Sequence, residues 1–130
     1  MEPLSGHIET DFVVLSADKT AAIEHWDEQL YERLGNDYGD FAGHELIACH
    51  RFDSDWPTWE IHPMGDEIVV LLEGEATFVL QGENGEVTLS LTNPGEYVVV
   101  PRNTWHTAKT AHASKMLFIT PGQGTENKPA

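Results

Sequence analysis

From Gly43 onward the chain is a succession of short β-forming runs, each cut off by turn chemistry, and this leaves few folds open. The candidate strands are Glu45–Phe52, Thr58–Pro63, Glu67–Leu72, Ala76–Gln81, Glu86–Leu91, Glu96–Val100, Trp105–Thr110 and Lys115–Thr120. Between them lie Glu73-Gly74-Glu75, Gly82-Glu83-Asn84-Gly85, Asn93-Pro94-Gly95 and Pro101-Arg102-Asn103, all rich in residues that favour reversals. Short strands at regular turn spacing build a sandwich or a barrel. The run Ile68-Val69-Val70-Leu71-Leu72 has no polar alternation, which predicts burial of both its faces. A chain of 130 residues supports one such domain and its core.

The N-terminal third reads differently. Residues 1–10 form a loose lead-in and Phe12–Leu15 a short strand, after which Ser16-Ala17-Asp18 resembles a helix start. Ala22, Ile23, Trp26, Leu30 and Leu34 then recur at spacings of three and four, with Glu24, Asp27, Glu28 and Glu32 on the other side. This pattern predicts one α-helix over about 19–34, stopped by Gly35 and packed outside the barrel or on a partner subunit. The expected organisation is an N-terminal extension over 1–42, an all-β barrel over 43–120, and a polar, Gly- and Pro-rich tail over 121–130 that reads as disordered.

Charge narrows the partners. Twenty-two Asp and Glu against seven Lys and Arg give a formal charge of -15, which repels phosphate backbones and anionic lipid. Nucleic acid and membrane are therefore not expected partners. Cys49 is the only cysteine and excludes an internal disulfide, and Met1-Glu2-Pro3 opens without a basic or apolar targeting segment. Both features point to a cytoplasmic protein.

Two stretches carry chemistry. Glu60-Ile61-His62-Pro63-Met64-Gly65-Asp66-Glu67 is followed about forty residues later by Pro101-Arg102-Asn103-Thr104-Trp105-His106. On a strand, residues i and i+2 share a face, so Glu60 and His62 point the same way. Glu67 opens the next apolar run, and His106 follows a Pro-containing turn. Two imidazoles and two carboxylates on rigid strands are the donor set a divalent transition metal requires.

These stretches resemble the paired motifs of the cupin superfamily. Glu60-x-His62, four residues, Glu67, six residues and Gly74 follow the family's first motif, with Glu60 where a first histidine usually stands. Gly95, five residues, Pro101-x-Asn103, two residues and His106 follow the second, with Asn103 in place of a glycine. Trp59 through Glu67 is similar to the Trp-Glu-x-His-Pro-x-Gly-Asp-Glu start of small single-domain cupin-2 proteins. Asn103 is a mild departure, because Asn tolerates left-handed backbone better than most residues. The resemblance covers about 45–120 and implies a double-stranded β-helix, or jelly-roll barrel, with the helix outside it. It also implies a homodimer, a reading that the aromatics outside the motifs support.

The resemblance implies one divalent metal (Fe, Mn, Ni, Zn or Co) held by His62, Glu67 and His106. Glu60 is either a fourth ligand or a catalytic acid–base group standing off the ion. A charge-neutral site favours enolisation, isomerisation or hydrolysis, whereas open positions suit dioxygen chemistry. The expected activity is that of an isomerase or oxygenase on a small polar metabolite. A non-catalytic binding or sensory module, or a barrel without metal, would use the same residues. Trp56 is expected at the pocket mouth, Trp105 on the opposite face of its strand, and His50 as the one further histidine near the site. No phosphate loop, Gly-x-Ser-x-Gly elbow or Cys-x-x-Cys pattern occurs.

Overall fold

The structure is a computed structural model in which residues 3–130 are described; the first two residues of the lead-in lie outside them. Eleven strands and one helix follow in order: β1 (Asp11–Leu15), β2 (Ala21–His25), α1 (Leu30–Asp37), β3 (Glu45–Phe52), β4 (Thr58–Ile61), β5 (Glu67–Glu73), β6 (Ala76–Gly82), β7 (Gly85–Leu91), β8 (Tyr97–Val100), β9 (His106–Lys109), β10 (Ser114–Thr120) and β11 (Glu126–Pro129). A six-stranded sheet in the order β2-β1-β3-β10-β5-β8 faces a five-stranded sheet in the order β11-β4-β9-β6-β7, and every strand pair is antiparallel. This is the jelly-roll arrangement.

The side-chain period of two builds the core. In β5, Glu67, Val69 and Leu71 turn inward and are buried, while Ile68 between them is 37 % exposed. The predicted burial of both faces of this run is thus corrected: β5 is flanked by β10 and β8 in one sheet, so only one of its faces meets the opposite sheet. Val69, Leu71, Phe78, Val98, Val100 and Met116 close the floor of the barrel. A second cluster, containing Phe12, Val14, Leu30, Leu34, Phe41 and Leu46, joins the N-terminal segment to the open end.

The helix over about 19–34 is corrected as well. Its first half is β2, which pairs with β1 through Val13↔Ile23 and its neighbours, and helix begins only at Leu30. The apparent helix start is a turn: Asp18 accepts hydrogen bonds from the backbone N–H and hydroxyl of Thr20, and Lys19 takes a left-handed φ of 72°. The same side-chain-to-backbone bonding caps helices and closes turns, so its sequence signature is ambiguous. Gly35 lies inside α1 rather than at its end. Eight residues with no side-chain cap cannot hold a helix alone; burial of Leu30 and Leu34 in the second cluster does. Trp26 is no core residue but is 48 % exposed.

The tail is not disordered. After Pro121 the chain turns, and β11 pairs with β4 through Glu126↔Ile61, Asn127↔Glu60, Lys128↔Trp59 and Pro129↔Thr58. Without a partner its backbone would be left to water; β4 supplies the ladder. Lys128 also lies 4.3 Å from the ring centre of Trp105.

Candidate metal centre

β4, β5 and β9 deliver the four side chains expected from the sequence to one end of the barrel. Glu60 and His106 are direct partners across β4 and β9, and His62 follows just beyond β4. Glu67 enters from the opposite sheet at the start of β5. The two motif loops are tied together: Asp66 accepts from the backbone N–H of Arg102 at 2.8 Å, and the carbonyl of His62 accepts from that of Asn103 at 3.1 Å. Asn103 adopts the left-handed φ of 58° that glycine would take there.

Donor atoms of Glu60, His62 and His106 all lie within 4.8 Å of one another. Glu67 sits between the rings, with Oε1 3.1 Å from His106 Nε2 and Oε2 3.3 Å from His62 Nε2. Glu60 Oε2 is 3.8 Å from His62 Nε2. His62, Glu67 and His106 are buried, while the Glu60 side chain is 33 % exposed and faces the opening. The structure thus places Glu60, His62, Glu67 and His106 at one end of the barrel.

The hydrogen bonds behind the rings fix their tautomers. The carbonyl of Thr104 can only accept, so His106 Nδ1, 3.0 Å away, must donate to it. Thr125 donates its hydroxyl proton to the carbonyl of Gly122 at 2.9 Å, which leaves its oxygen to accept from His62 Nδ1 at 2.8 Å. With both Nδ1 atoms donating, it is the Nε2 atoms that face Glu67, free to hold either a proton or a metal ion. Thr120 donates to Glu67 Oε2 at 2.6 Å and orients that carboxylate.

His62 Nε2, His106 Nε2 and Glu67 Oε1 are all buried without a properly directed hydrogen-bond partner. Their close approach has contact distance but not hydrogen-bond angles. Three electron-rich atoms so placed repel one another unless a proton or a metal ion lies between them, and a buried polar atom without a partner is costly. The donor set therefore fits a divalent ion, with two imidazole nitrogens and one or two carboxylate oxygens.

Proton affinities carry the same mark. Burial alone would raise the Glu67 carboxyl, but the neighbouring His106 and His62 hold it down at about 2. Burial works to lower His106, yet the Glu67 carboxylate outweighs it and the ring is raised. Burial and then the Glu67 charge raise Glu60, which holds its proton more readily than an ordinary carboxyl.

The centre opens into a cavity of about 740 Å³. Trp56 lines it, as expected; so does His50, although β3 runs beside β1 and β10 rather than beside β4. Thr120, Thr125 and Tyr31 also reach the cavity and were not singled out in the sequence. Thr120 ends the in-facing series Met116-Phe118-Thr120, a hydroxyl where the alternation calls for an apolar residue. No local signal marks Thr125 or Tyr31, because a chain return brings each of them in. A smaller cavity of about 270 Å³, lined by Leu4, Ile8, Asp11, Val13, Ala21 and Ile23 among others, lies on the N-terminal segment away from the imidazoles.

The fold is a jelly roll with a His/Glu group at one end that could hold a metal ion. The cupin domain family matches residues 53–120, more than half of the sequence, and the chain belongs to that family as a small cupin-2-type protein. No curated protein matches it. Among solved structures, an oxalate oxidase is 22% identical with a TM-score of 0.53, over 62% of this chain and 44% of its own. Oxalate decarboxylase of Bacillus subtilis, studied for its Mn(II) centres, is 14% identical with a TM-score of 0.53, over 65% and 23%. Hydroquinone 1,2-dioxygenase of Sphingomonas sp. TTNP3 is 16% identical with a TM-score of 0.50, over 66% and 60%. The chain thus spans less than two thirds of each of these proteins, and at these identities the likeness is one of fold.

Proposed function

We propose that this cupin binds one divalent transition metal through His62, Glu67 and His106, and that it acts on a small metabolite whose oxygens complete the coordination. The observation that carries this reading is the convergence of three buried, unpartnered donor atoms whose tautomers are set from behind. The use of metal by a neighbour of the same fold, the Mn(II)-containing oxalate decarboxylase, adds support. Bound there, a metal ion would supply Lewis-acid polarisation of a substrate oxygen or open positions for dioxygen.

The protein's own groups divide the work. His62 and His106 are held rigidly by Thr125 and Thr104, and Glu67 by Thr120, so the set needs no rearrangement to receive an ion. Glu60 stands at the open side with a raised proton affinity. It is suited to take a proton from a substrate carbon or hydroxyl and return it elsewhere, as an isomerase requires. We favour that role over a fourth ligand because its oxygen lies 3.8 Å from His62 Nε2, against 3.3 Å for Glu67, although Glu60 also comes within 4.8 Å of both imidazoles and is placed to ligate. Oxygenase chemistry is the alternative within the same centre.

Metal analysis of protein purified without added metal tests the reading, together with melting curves in the presence of Mn, Fe, Ni, Co and Zn. Near-stoichiometric metal and a raised Tm are expected; trace content with no shift by any ion would overturn it. Oxygen consumption by the iron-loaded protein separates oxygenase from isomerase.

The protein is further proposed to act as a homodimer through the outer face of the six-stranded sheet. Ile23, Val13, Ile47, Ile119, Ile68 and Val99 are successive cross-strand partners and form an apolar row over all six strands. Tyr97, 64 % exposed, extends the patch beside them. A light-scattering mass near 14.5 kDa would contradict the dimer.

A further inference from the structure

One wall of the cavity in front of the centre is aromatic. An unbroken series of rings leads away from the cluster. Trp56 lies 6.3 Å from His106 between ring centres, and 5.4 Å and 5.9 Å from Phe52 and Phe118. His50 follows, 5.8 Å from Phe118 and 6.2 Å from Phe52. Leu46 and Ala48 fill the same wall. Thr58, Thr125 and Asn127 are on the side of β4 and β11, beside Glu60 and His62. The stretch between the metal end and His50 therefore offers faces and edges of rings rather than hydrogen-bond partners.

At the far end of this wall stands a second polar group. The Tyr31 hydroxyl, carried in by α1, is 3.0 Å from His50 Nε2. Strand register gives the spacing. Thr120 lies across from Leu46, and Met116 from His50. Since Thr120 also bonds Glu67, the backbone positions behind the two polar ends, Leu46 and His50, are four residues apart, a rise of roughly 13 Å along the strand. Tyr31 is 54 % exposed at the cavity rim; partial burial, then the charges of Glu60 and Glu67, push its pKa up to about 12. Burial also lowers His50, which favours its uncharged ring. When Tyr31 donates to His50 its oxygen can accept from a ligand; when His50 donates, the phenol proton is available to one. The pair can thus meet either a hydroxyl or a carbonyl.

We propose that the site takes an aromatic metabolite bearing chelating oxygens at one end and a hydroxyl or carbonyl at the other, with Tyr31 and His50 as the specificity-determining pair for the distal oxygen. The proposal rests on the metal reading above for the chelating end only. It narrows the small polar metabolite expected from the sequence to a flat amphiphile, and a volume of about 740 Å³ accommodates one ring with its substituents. Both residues of the pair lie outside the span 53–120 matched by the family, so this selectivity belongs to the chain's own N-terminal part.

Three probes share one chelating group and grow stepwise: glycolate, mandelate and 4-hydroxymandelate. They are titrated by calorimetry into Mn(II)-loaded protein and into chelator-treated protein, with metal content measured in parallel. Mandelate is expected to bind at least about tenfold more tightly than glycolate, from burial of its ring. 4-Hydroxymandelate is expected to gain a further factor of about 3–10 from one neutral hydrogen bond. Tyr31→Phe should erase the second gain and keep the first. Equal affinity of mandelate and glycolate overturns the aromatic wall. A distal hydroxyl that brings no gain, or one whose gain survives in Tyr31→Phe, overturns the role of the pair. If no metal binds, the metal reading falls, while the ring and hydroxyl increments measured on metal-free protein still decide this proposal.

Discussion

Thr125→Val probes whether the C-terminal strand sets the state of the metal centre. The substitution keeps the shape of the side chain and removes the oxygen that accepts from His62 Nδ1 at 2.8 Å. His62 is 5% exposed, so the orphaned N–H is buried, whereas Thr125 is exposed and water can reach the vacated place. The direct loss of stability therefore falls at the low end of the penalty for an unmet buried donor, about 1 kcal/mol. Metal affinity is expected to suffer more. Water can donate as well as accept, so it does not hold the proton on Nδ1 and the lone pair on Nε2 as Thr125 does. Loss of such a supporting bond costs on the order of tenfold in affinity, about 1.4 kcal/mol. Competition with a chromophoric chelator measures this directly, and urea unfolding of the metal-free protein measures the stability term. Thr125→Ser should restore affinity to within about twofold. Wild-type affinity in Thr125→Val would refute the claim that Thr125 fixes the tautomer of His62.

Glu60→Gln should retain the metal and lose turnover by a factor of about 100 or more if Glu60 moves a proton; loss of metal with it would instead make Glu60 a ligand. His106→Ala should abolish the metal-induced rise in Tm, because it removes one of the buried, unpartnered donors; an unchanged rise would remove His106 from the centre. Gly74→Ala should destabilise the fold by roughly 2–4 kcal/mol without moving the metal site, since φ is +79° and a Cβ would lie 2.0 Å from the carbonyl oxygen of Ala113. A urea midpoint equal to wild type would contradict it. Metal-free protein should be most stable between about pH 4.5 and 6.5, the ordinary values of Glu and His. Glu67, depressed in the fold, stabilises above its ordinary value and loses that contribution as pH falls toward about 2. His106, raised, stabilises below its ordinary value and loses that contribution as pH climbs through its higher folded one. Because metal must displace the proton on His106, the Tm gain from metal should be larger at pH 8 than at pH 5.5; equal gains would exclude proton competition.

The strands from Glu45 to Thr120 were legible because their signal is local. Alternation and turn residues within each run mark its ends, and β3 matches the expected Glu45–Phe52 in full. Glu60, His62, Glu67 and His106 were legible because strand parity and spacing depend on chain order alone, and the jelly roll converts that order into proximity. The N-terminal segment was misread for the opposite reason. Apolar spacing at Ala22, Ile23 and Trp26 suits a helix, but β1 offers an open edge, and a ladder with an adjacent strand outweighs a weak helical preference.

The amino-acid order by itself determined the all-β class, from periodicity and short-range turn chemistry, and its motif spacing singled out Glu60, His62, Glu67 and His106 as candidates. Only the tertiary structure decided what stands behind and in front of those donors. Thr125 reaches His62 because the tail returns to pair with β4. Tyr31 reaches His50 because α1 is seated by Leu30 and Leu34 in a distant cluster. Contacts of this kind join residues 63 and 19 positions apart. Their geometry is fixed by the packing of the whole domain, which no local pattern encodes.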